Sequence, residues 1–346
     1  RGEISAQQAV ESCLERIRVV NPAVNAITRL FAEEALSAAD ASAAVAGRIM
    51  ALRGHGHTSF GNIKDGSGSL QFYIKDAEVD EKTWQTFKLL DLGDIIGISG
   101  SLFRTRTGEL TVKVKTLELL SKSLLPLPEK FHGLQDKELR YRRRYLDLIV
   151  NDEVMAVFRT RSRIIDTIRA FLNGNGFLEV ETPILQPLYG GAMARPFVTH
   201  HNALDMRLYL RIADELYLKR LIVGGMERVY EFCKDFRNEG MDRSHNPEFT
   251  MLECYAAYWD YNDMMDFVES LYQKLAEEVL ATKKIKYGEH EIDLASPWRR
   301  LPFFESIREK TGRDLLEASE DELRTTAKKH GVDIEGVSGR GGLLDA

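Results

Sequence analysis

Arg237, Glu239, His245, Asn246 and Phe249 fall inside one short stretch, ERVYEFCKDFRNEGMDRSHNPEFTMLECYAAYW, residues 227–259. Two runs of strand character flank a polar, basic loop, Gly240–Pro247, which also carries Arg243. The pattern predicts an antiparallel hairpin whose loop is long enough to wrap an anion. The residue types suit a nucleotide: a guanidinium for one phosphate, an imidazole for another, an aromatic face for a base. Glu253 and Tyr255 on the second run offer a carboxylate and a phenol oxygen, which a cationic ligand needs. Plainer roles stand beside these: Phe249 as a core aromatic, and Arg237 with Glu239 as a cross-strand ion pair.

Such side chains need a frame to hold them. Upstream, residues 153–183 open on an amphipathic helix with Val157, Ile164, Ile165, Ile168, Phe171 and Leu172 as its apolar stripe. Asn173-Gly174-Asn175-Gly176 closes that helix, and FLEVETPIL follows as a strand. The stripe suits either core packing or a subunit contact. Gly190-Gly191 marks a turn where backbone can approach a small ligand. Glu215 opens another amphipathic helix, where an acid also complements the helix dipole. Downstream come a helix over Met264–Leu280, a basic turn with Lys283, Lys284 and Lys286, a strand in EIDLASPWRRLPFFESI, and a helix from Arg308.

Further upstream the pattern is different. Residues 45–125 hold five short alternating runs broken by Gly and Asp-Gly turns, with a helical insert near Thr83–Leu90. That organisation predicts a small Greek-key β-barrel of the OB type, a fold that takes up single-stranded nucleic acid by stacking. Phe60 and Gln71 stand on what would be neighbouring strands, and Phe60 suits either the barrel core or a stacking face. Residues 126–150 read as a linker, in which Lys137, Arg140, Arg142, Arg143 and Arg144 offer a nucleic-acid backbone contact, a solvated helix face or a hinge. Residues 1–44 are predicted helical: Ser5 and Gln8 form a capping-box pattern ahead of Val10, Cys13, Leu14 and Ile17.

Composition bounds the function classes. The chain has 346 residues, 44% hydrophobic and 29% charged, with a net charge of −6. Nucleic-acid binding would therefore rest on local basic patches and stacking, not on a global field. No apolar run nears the roughly 20 residues a membrane span requires. Cys13, Cys233 and Cys254 have no CxxC partner and read as reduced thiols of a cytoplasmic protein.

The hairpin resembles motif 2 of the class II aminoacyl-tRNA synthetases, and residues 45–340 resemble the class IIb members, those for lysine, aspartate and asparagine. GGAMARPF and HNALDM are similar to strings of the lysine-specific branch. The resemblance implies an α+β architecture: N-terminal helices, an OB-fold anticodon-binding domain, and a catalytic domain over 151–346 built on an antiparallel sheet with flanking helices. It implies ATP-dependent joining of lysine to tRNA through a lysyl-adenylate, with ATP and Mg2+. Residue by residue, it implies Arg237 on the α-phosphate, Glu239 on adenine, His245 and Asn246 on the distal phosphates, and Phe249 stacked on the base. Gly191, Glu215, Glu253 and Tyr255 would hold lysine, and Phe60, Gln71 and Glu109 the anticodon. The motif 1 helix and strand would form a homodimer. Met193 and Asp214 depart from the family pattern, which usually has Ala and Pro there. Acidic magnesium ligands and the arginine of motif 3 are expected beyond Ala346, so no metal ligand is assigned within the chain. A tRNA-binding and dimerisation module without catalysis, and an aspartyl- or asparaginyl-type enzyme, are the alternatives. Residues 1–41, GEISAQQAVESCLERIRVVNPAVNAI in particular, resemble the N-terminal helices of the amidase signature family, and so suggest a fusion.

Overall fold

A computed structural model describes residues 42–128 and 134–346. The expected helices of residues 1–41, with their amidase resemblance, lie outside the described residues. The chain divides into two compact units between Met155 and Ala156.

In the first unit five strands close a barrel: β1 (Ser42–His55), β2 (Thr58–Lys64), β3 (Ser69–Lys75), β4 (Ile95–Arg104) and β5 (Leu110–Ser121), in the order β1-β2-β3-β5-β4. β3 and β5 run parallel and the other neighbours antiparallel. The alternation read from the sequence sends Ile49, Ile63, Phe72, Ile74, Ile96, Ile98, Val112 and Val114 inward as one apolar cluster. Gly61 is required there. A Cβ on it would lie 2.3 Å from Phe72 Cζ, so the glycine makes room for the ring that fills the barrel. α1 (Glu81–Lys88) is capped by the Asp80 carboxylate, which accepts from Thr83 N at 2.7 Å. Trp84 joins α1 to the barrel core.

Two short helices follow, α2 (Lys137–Arg142) and α3 (Arg144–Val150). The basic string is partly structural. Arg140 donates at 2.8 Å to Asp147, which is fully buried, and Arg144 pairs with the same carboxylate. Arg142 pairs with Glu138 one turn away at 2.6 Å.

The long helix α4 (Asp152–Gly174) leads into the second unit. Its last two turns supply Ile168, Phe171 and Leu172 to a core with Phe177, Tyr230 and Phe267. Val157, counted in the predicted stripe, is 65% exposed, although Val154, one turn before it, is buried at 7%. Short strands β6 (Leu178–Glu179), β7 (Leu185–Gln186), β8 (Val198–His201) and β9 (Met206–Leu210) precede α5 (Glu215–Val223). Then come β10 (Arg228–Phe236) and β11 (Glu248–Ala256), the arms of the predicted hairpin, paired from Arg228–Ala256 to Phe236–Glu248. β6 adds to β10 in parallel, and β7, β9 and β8 form a second small sheet. Tyr230 ties these layers together. Its hydroxyl donates at 3.0 Å towards Glu179 on β6 and Asn173 at the end of α4. Burial, reinforced by the Glu179 carboxylate, pushes this phenol up to about 12.

α6 (Tyr261–Leu275) starts on a reciprocal Asp260/Asp263 cap and runs on through a π turn to Leu280. Strand structure in the next stretch is confined to a hairpin, β12 (Lys284–Tyr287) and β13 (His290–Asp293). The following helix, α7 (Phe303–Thr311), begins five residues before the expected Arg308, directly after Pro302, whose extended backbone pre-sets its start. α8 (Glu320–Lys329) and α9 (Gly339–Asp345) pack Leu315, Leu323 and Leu343 into a separate small core.

Candidate active site and nucleic-acid face

The β10–β11 hairpin projects Arg237 and Glu239 just past the end of β10, facing the segment around Arg195. Arg237 N donates to Pro247 O at 2.9 Å, closing the loop, and Asn238 N donates to Arg195 O at 2.7 Å. Glu239 accepts from Arg195 N at 3.2 Å through Oε1. The Arg237 guanidinium reaches Ile212 O at 3.4 Å and lies 5.0 Å over the Phe249 ring. Arg237 and Glu239 thus engage different partners, and neither serves as the other's counter-ion. Phe249, opposite Asp235 in the ladder, is half-buried with its face presented to the guanidinium. A cleft of about 610 Å³ opens beside them, lined by Tyr189, Arg195, Asn238, Glu239 and Gly240 among others.

His245 and Asn246 sit on the loop itself and turn back onto it. His245 Nδ1 lies 2.8 Å from Asp242 Oδ2, and the Asp242 carboxylate also accepts from the backbone of Ser244 and His245. These bonds, that from the His245 ring foremost, hold Asp242 below the usual carboxylate range. Asn246 donates to Glu248 O at 2.6 Å.

Glu215, Glu253, Tyr255 and Gly191 gather at a second point of the same unit. Tyr255 donates to Glu253 Oε2 at 2.9 Å, and Glu253 Oε1 is 3.5 Å from Asp214 N at the start of α5. Burial, then the charges of Glu253, Glu215 and Asp214, raise the Tyr255 phenol far above its ordinary value. The phenol therefore stays protonated and can only donate or accept hydrogen bonds. Gly191 has φ +89°, and a Cβ there would come within 3.0 Å of both Ala213 and Glu215. That close fit holds the glycine turn against the first residue of α5. Glu215 pairs with Lys219 at 2.6 Å one turn on. The group thus gathers two carboxylates and a phenol at one place, with Lys219 as the ammonium partner of Glu215.

Behind it lies a charged cluster that sequence reading missed. Arg211, fully enclosed, donates to Glu231 at 2.7 Å, to Lys234 O at 2.9 Å and to Thr182 at 3.2 Å. Asp214 and Asp235 stand further off, at 3.4 and 3.6 Å. The Cys233 thiol donates to Asp214 at 2.7 Å. Burial drives the Asp214 carboxyl up to about 7; the Cys233 bond opposes the rise and Asp235 adds to it. Burial, Asp214 and Asp235 push the Cys233 thiol up as well. Asp214 was visible in the sequence as a departure from family pattern, but its partners lie on segments remote in sequence.

On the barrel, Phe60, Gln71 and Glu109 come together on the outer face. Phe60 pairs with Tyr73 across β2 and β3, so it shares a face with Gln71, two residues along β3. Gln71 donates to Glu109 at 2.9 Å and accepts from Thr111 at 2.8 Å. Phe60, at 36% exposure, stands outside the barrel core. Tyr73 and Phe103 continue the aromatic row, with centroids 5.0 and 6.1 Å apart along it. Alternation along β3 and β4 was the signal that could have placed these two rings beside Phe60.

The structure thus sets a five-stranded barrel with an aromatic outer stripe before a unit that carries the Arg237 hairpin and the Glu215, Glu253 and Tyr255 group. Residues 136–335 match the family described as tRNA synthetases class II (D, K and N), and residues 43–120 match an OB-fold nucleic acid binding domain. The chain belongs to the class II tRNA synthetases of that group. Among its curated relatives is the lysine–tRNA ligase of Carboxydothermus hydrogenoformans, 54% identical over 89% of this chain and 63% of the relative. Those of Pelotomaculum thermopropionicum (56% identical, 84% of this chain, 58% of the relative) and Staphylococcus aureus (52%, 89% and 62%) are similar. The chain thus spans about three fifths of the length of these relatives. Neither family match reaches residues 1–41, so the amidase resemblance gains no support. Among the described residues no helix is long and apolar enough to cross a membrane.

Proposed function

We propose that this chain activates lysine with ATP and passes it to a tRNA whose anticodon the barrel reads. The carrying observation is the convergence of Glu215, Glu253 and Tyr255 on one acidic pocket beside the Arg237 hairpin. Two carboxylates and a protonated phenol favour a substrate with cationic ends; an aspartate side chain would meet repulsion there. The names of the relatives point to the same substrate.

In the proposed step, a lysine carboxylate oxygen attacks the α-phosphorus of ATP. The bond from that phosphorus to the bridging oxygen breaks, and pyrophosphate leaves with the electron pair. Arg237 would leave Phe249 for the α-phosphate, offering paired N–H donors to the charge that builds there. Phe249 would then present its face to adenine, and Glu239, fixed by Arg195 N, would accept from the adenine amino group. His245 and Asn246 would turn from Asp242 and Glu248 to the distal phosphates. Magnesium would arrive with those phosphates as their counter-ion. Among the described residues no group of three or more carboxylate, imidazole or thiol ligands stands at Arg237. Phe60, Tyr73 and Gln71 would take a splayed anticodon base by stacking and hydrogen bonding.

The test is amino-acid-dependent ATP–pyrophosphate exchange by the full-length protein. Exchange is expected with lysine, and Glu253→Gln is expected to raise the KM for lysine about 10- to 100-fold, the loss of a charge-assisted bond. Equal or better exchange with aspartate or asparagine would overturn the assignment. Retained tRNA binding with no exchange for any amino acid would make the chain a binding module.

A further inference from the structure

The mechanism leaves unused a second constellation of ligand-type side chains in the same unit. Asp214 precedes α5, while Cys233 and Asp235 point the same way from β10. Each offers one ligand atom, and the three atoms lie within 4.8 Å of one another. Cys233 Sγ is 2.7 Å from Asp214 and 3.7 Å from Asp235. Donor atoms around a tetrahedral zinc ion lie roughly 3.3–3.8 Å apart, so small side-chain adjustments would bring the set onto one ion.

Two further observations point to a missing cation. Asp214 and Asp235 are both 0% exposed, yet Asp214 Oδ1 and Asp235 Oδ2 have no hydrogen-bond donor among the described residues. Buried carboxylate oxygens are rarely left so. The neighbouring cation reaches these carboxylates only at ion-pair distance, with Arg211 3.4 Å from Asp214 Oδ1 and 3.6 Å from the Oδ1 of Asp235. The short bonds of Arg211 go to Glu231, Thr182 and Lys234 O, which leaves one guanidinium against three buried carboxylates, Asp214, Glu231 and Asp235. A buried excess of negative charge is costly unless a proton or a cation joins it.

We propose that Asp214, Cys233 and Asp235 supply three ligands of a site for a borderline-soft divalent ion, zinc above all. The thiol selects against magnesium and calcium, which favour all-oxygen shells. On binding, the thiol proton leaves to solvent and the thiolate joins the two carboxylates as ligand. The ion would clamp the start of α5 to β10. It would thereby fix Glu215, the next residue after Asp214, and Glu253, which accepts from Asp214 N. This site does not depend on which amino acid the enzyme activates.

Metal content of the full-length protein, measured by mass spectrometry after zinc loading and gel filtration, tests the proposal without reference to activity. One tightly held zinc per chain is expected, with at least a tenfold loss of retention in Cys233→Ala and Asp235→Asn and none in Cys254→Ala. Cobalt loading of the unmodified protein covers the case in which those variants fold poorly. A sulfur-to-cobalt charge-transfer band is expected in its near-ultraviolet spectrum. Wild-type protein that holds no zinc, or that binds cobalt without the thiolate band, overturns the site. So does zinc retention unchanged in folded Cys233→Ala.

Discussion

At the scale of the residue, the proposed nucleotide site turns on Arg237. In the free protein its guanidinium stacks on Phe249 and reaches Ile212 O, a resting place it would surrender to a phosphate. Lysine could supply the charge but not the planar fork, so Arg237→Lys in the full-length protein is expected to lower kcat for exchange about 100-fold. Lysine KM should change little, because the acidic pocket is built by other residues; single-substrate titrations would separate the two effects. A rise confined to lysine KM, with kcat unchanged, would place Arg237 in amino-acid binding instead. Individual residues were legible to different depths. The positions of Arg237, Glu239 and Phe249 followed from a contiguous string, since the hairpin register alone decides where they project. The Arg211 cluster was opaque because Arg211 follows β9, Thr182 lies between β6 and β7, and Glu231 is on β10. Only tertiary packing makes them neighbours. The resting stack of Arg237 on Phe249 was equally hidden, because side-chain torsions leave no trace in spacing.

At the scale of the element, a glycine and a carboxylate each hold part of the barrel together. Gly61 faces inward at a place where Phe72 leaves no room, and Ala51 O is also only 2.9 Å from where a methyl group would stand. Gly61→Ala should therefore destabilise the barrel by about 1–3 kcal/mol, and Phe72→Leu in the same chain should recover part of that loss. Urea unfolding followed by Trp84 fluorescence would measure both. Simple additivity of the two substitutions would show that the ring is not the obstacle. Asp94 pins the turn before β4 to the chain after β5. It accepts from Asp91 N at 2.8 Å, Lys122 Nζ at 2.8 Å and Ser123 N at 2.7 Å. Burial pushes its carboxyl up, but these bonds outweigh burial and hold it below the ordinary 3.8. A carboxyl that titrates lower when folded stabilises the protein fully above pH 3.8, and the gain fades as pH falls through the folded-state value. The stability gap between wild type and Asp94→Asn should accordingly be constant from about pH 5 to pH 7 and shrink on acidification below about pH 4. A gap that widened in acid would reverse the assigned sign. The strands themselves were legible because inward and outward residues alternate with period two. The early start of α7 was not, because Pro302 is compatible with either a strand end or a helix start.

At the scale of the whole molecule, the question is what covers the apolar surface that the fold leaves open. The sequence presented the α4 stripe as one face with two possible uses, core or subunit contact, and in the structure its residues differ in burial along its length. Ile168, Phe171 and Leu172 are spent on the core, whereas Val157 is 65% exposed. The segments after α4 add Leu178, Leu185 and Leu188 at 54%, 48% and 71% exposure. Large apolar side chains exposed on one helix and on the segments that follow it are candidates for an interface where they join into one patch. A second copy of the chain is the occupant most consistent with the family, since a two-fold contact needs only one self-complementary patch. Full-length protein in the analytical ultracentrifuge is therefore expected to sediment as a dimer at micromolar concentration. Val157→Glu with Leu188→Glu should weaken that dimer at least about 100-fold, because each buried carboxylate would lack a partner. Circular dichroism should stay unchanged, as both positions are open in the single chain. If the double variant still sediments as a dimer of wild-type affinity, the apolar segments serve another contact and the interface lies elsewhere.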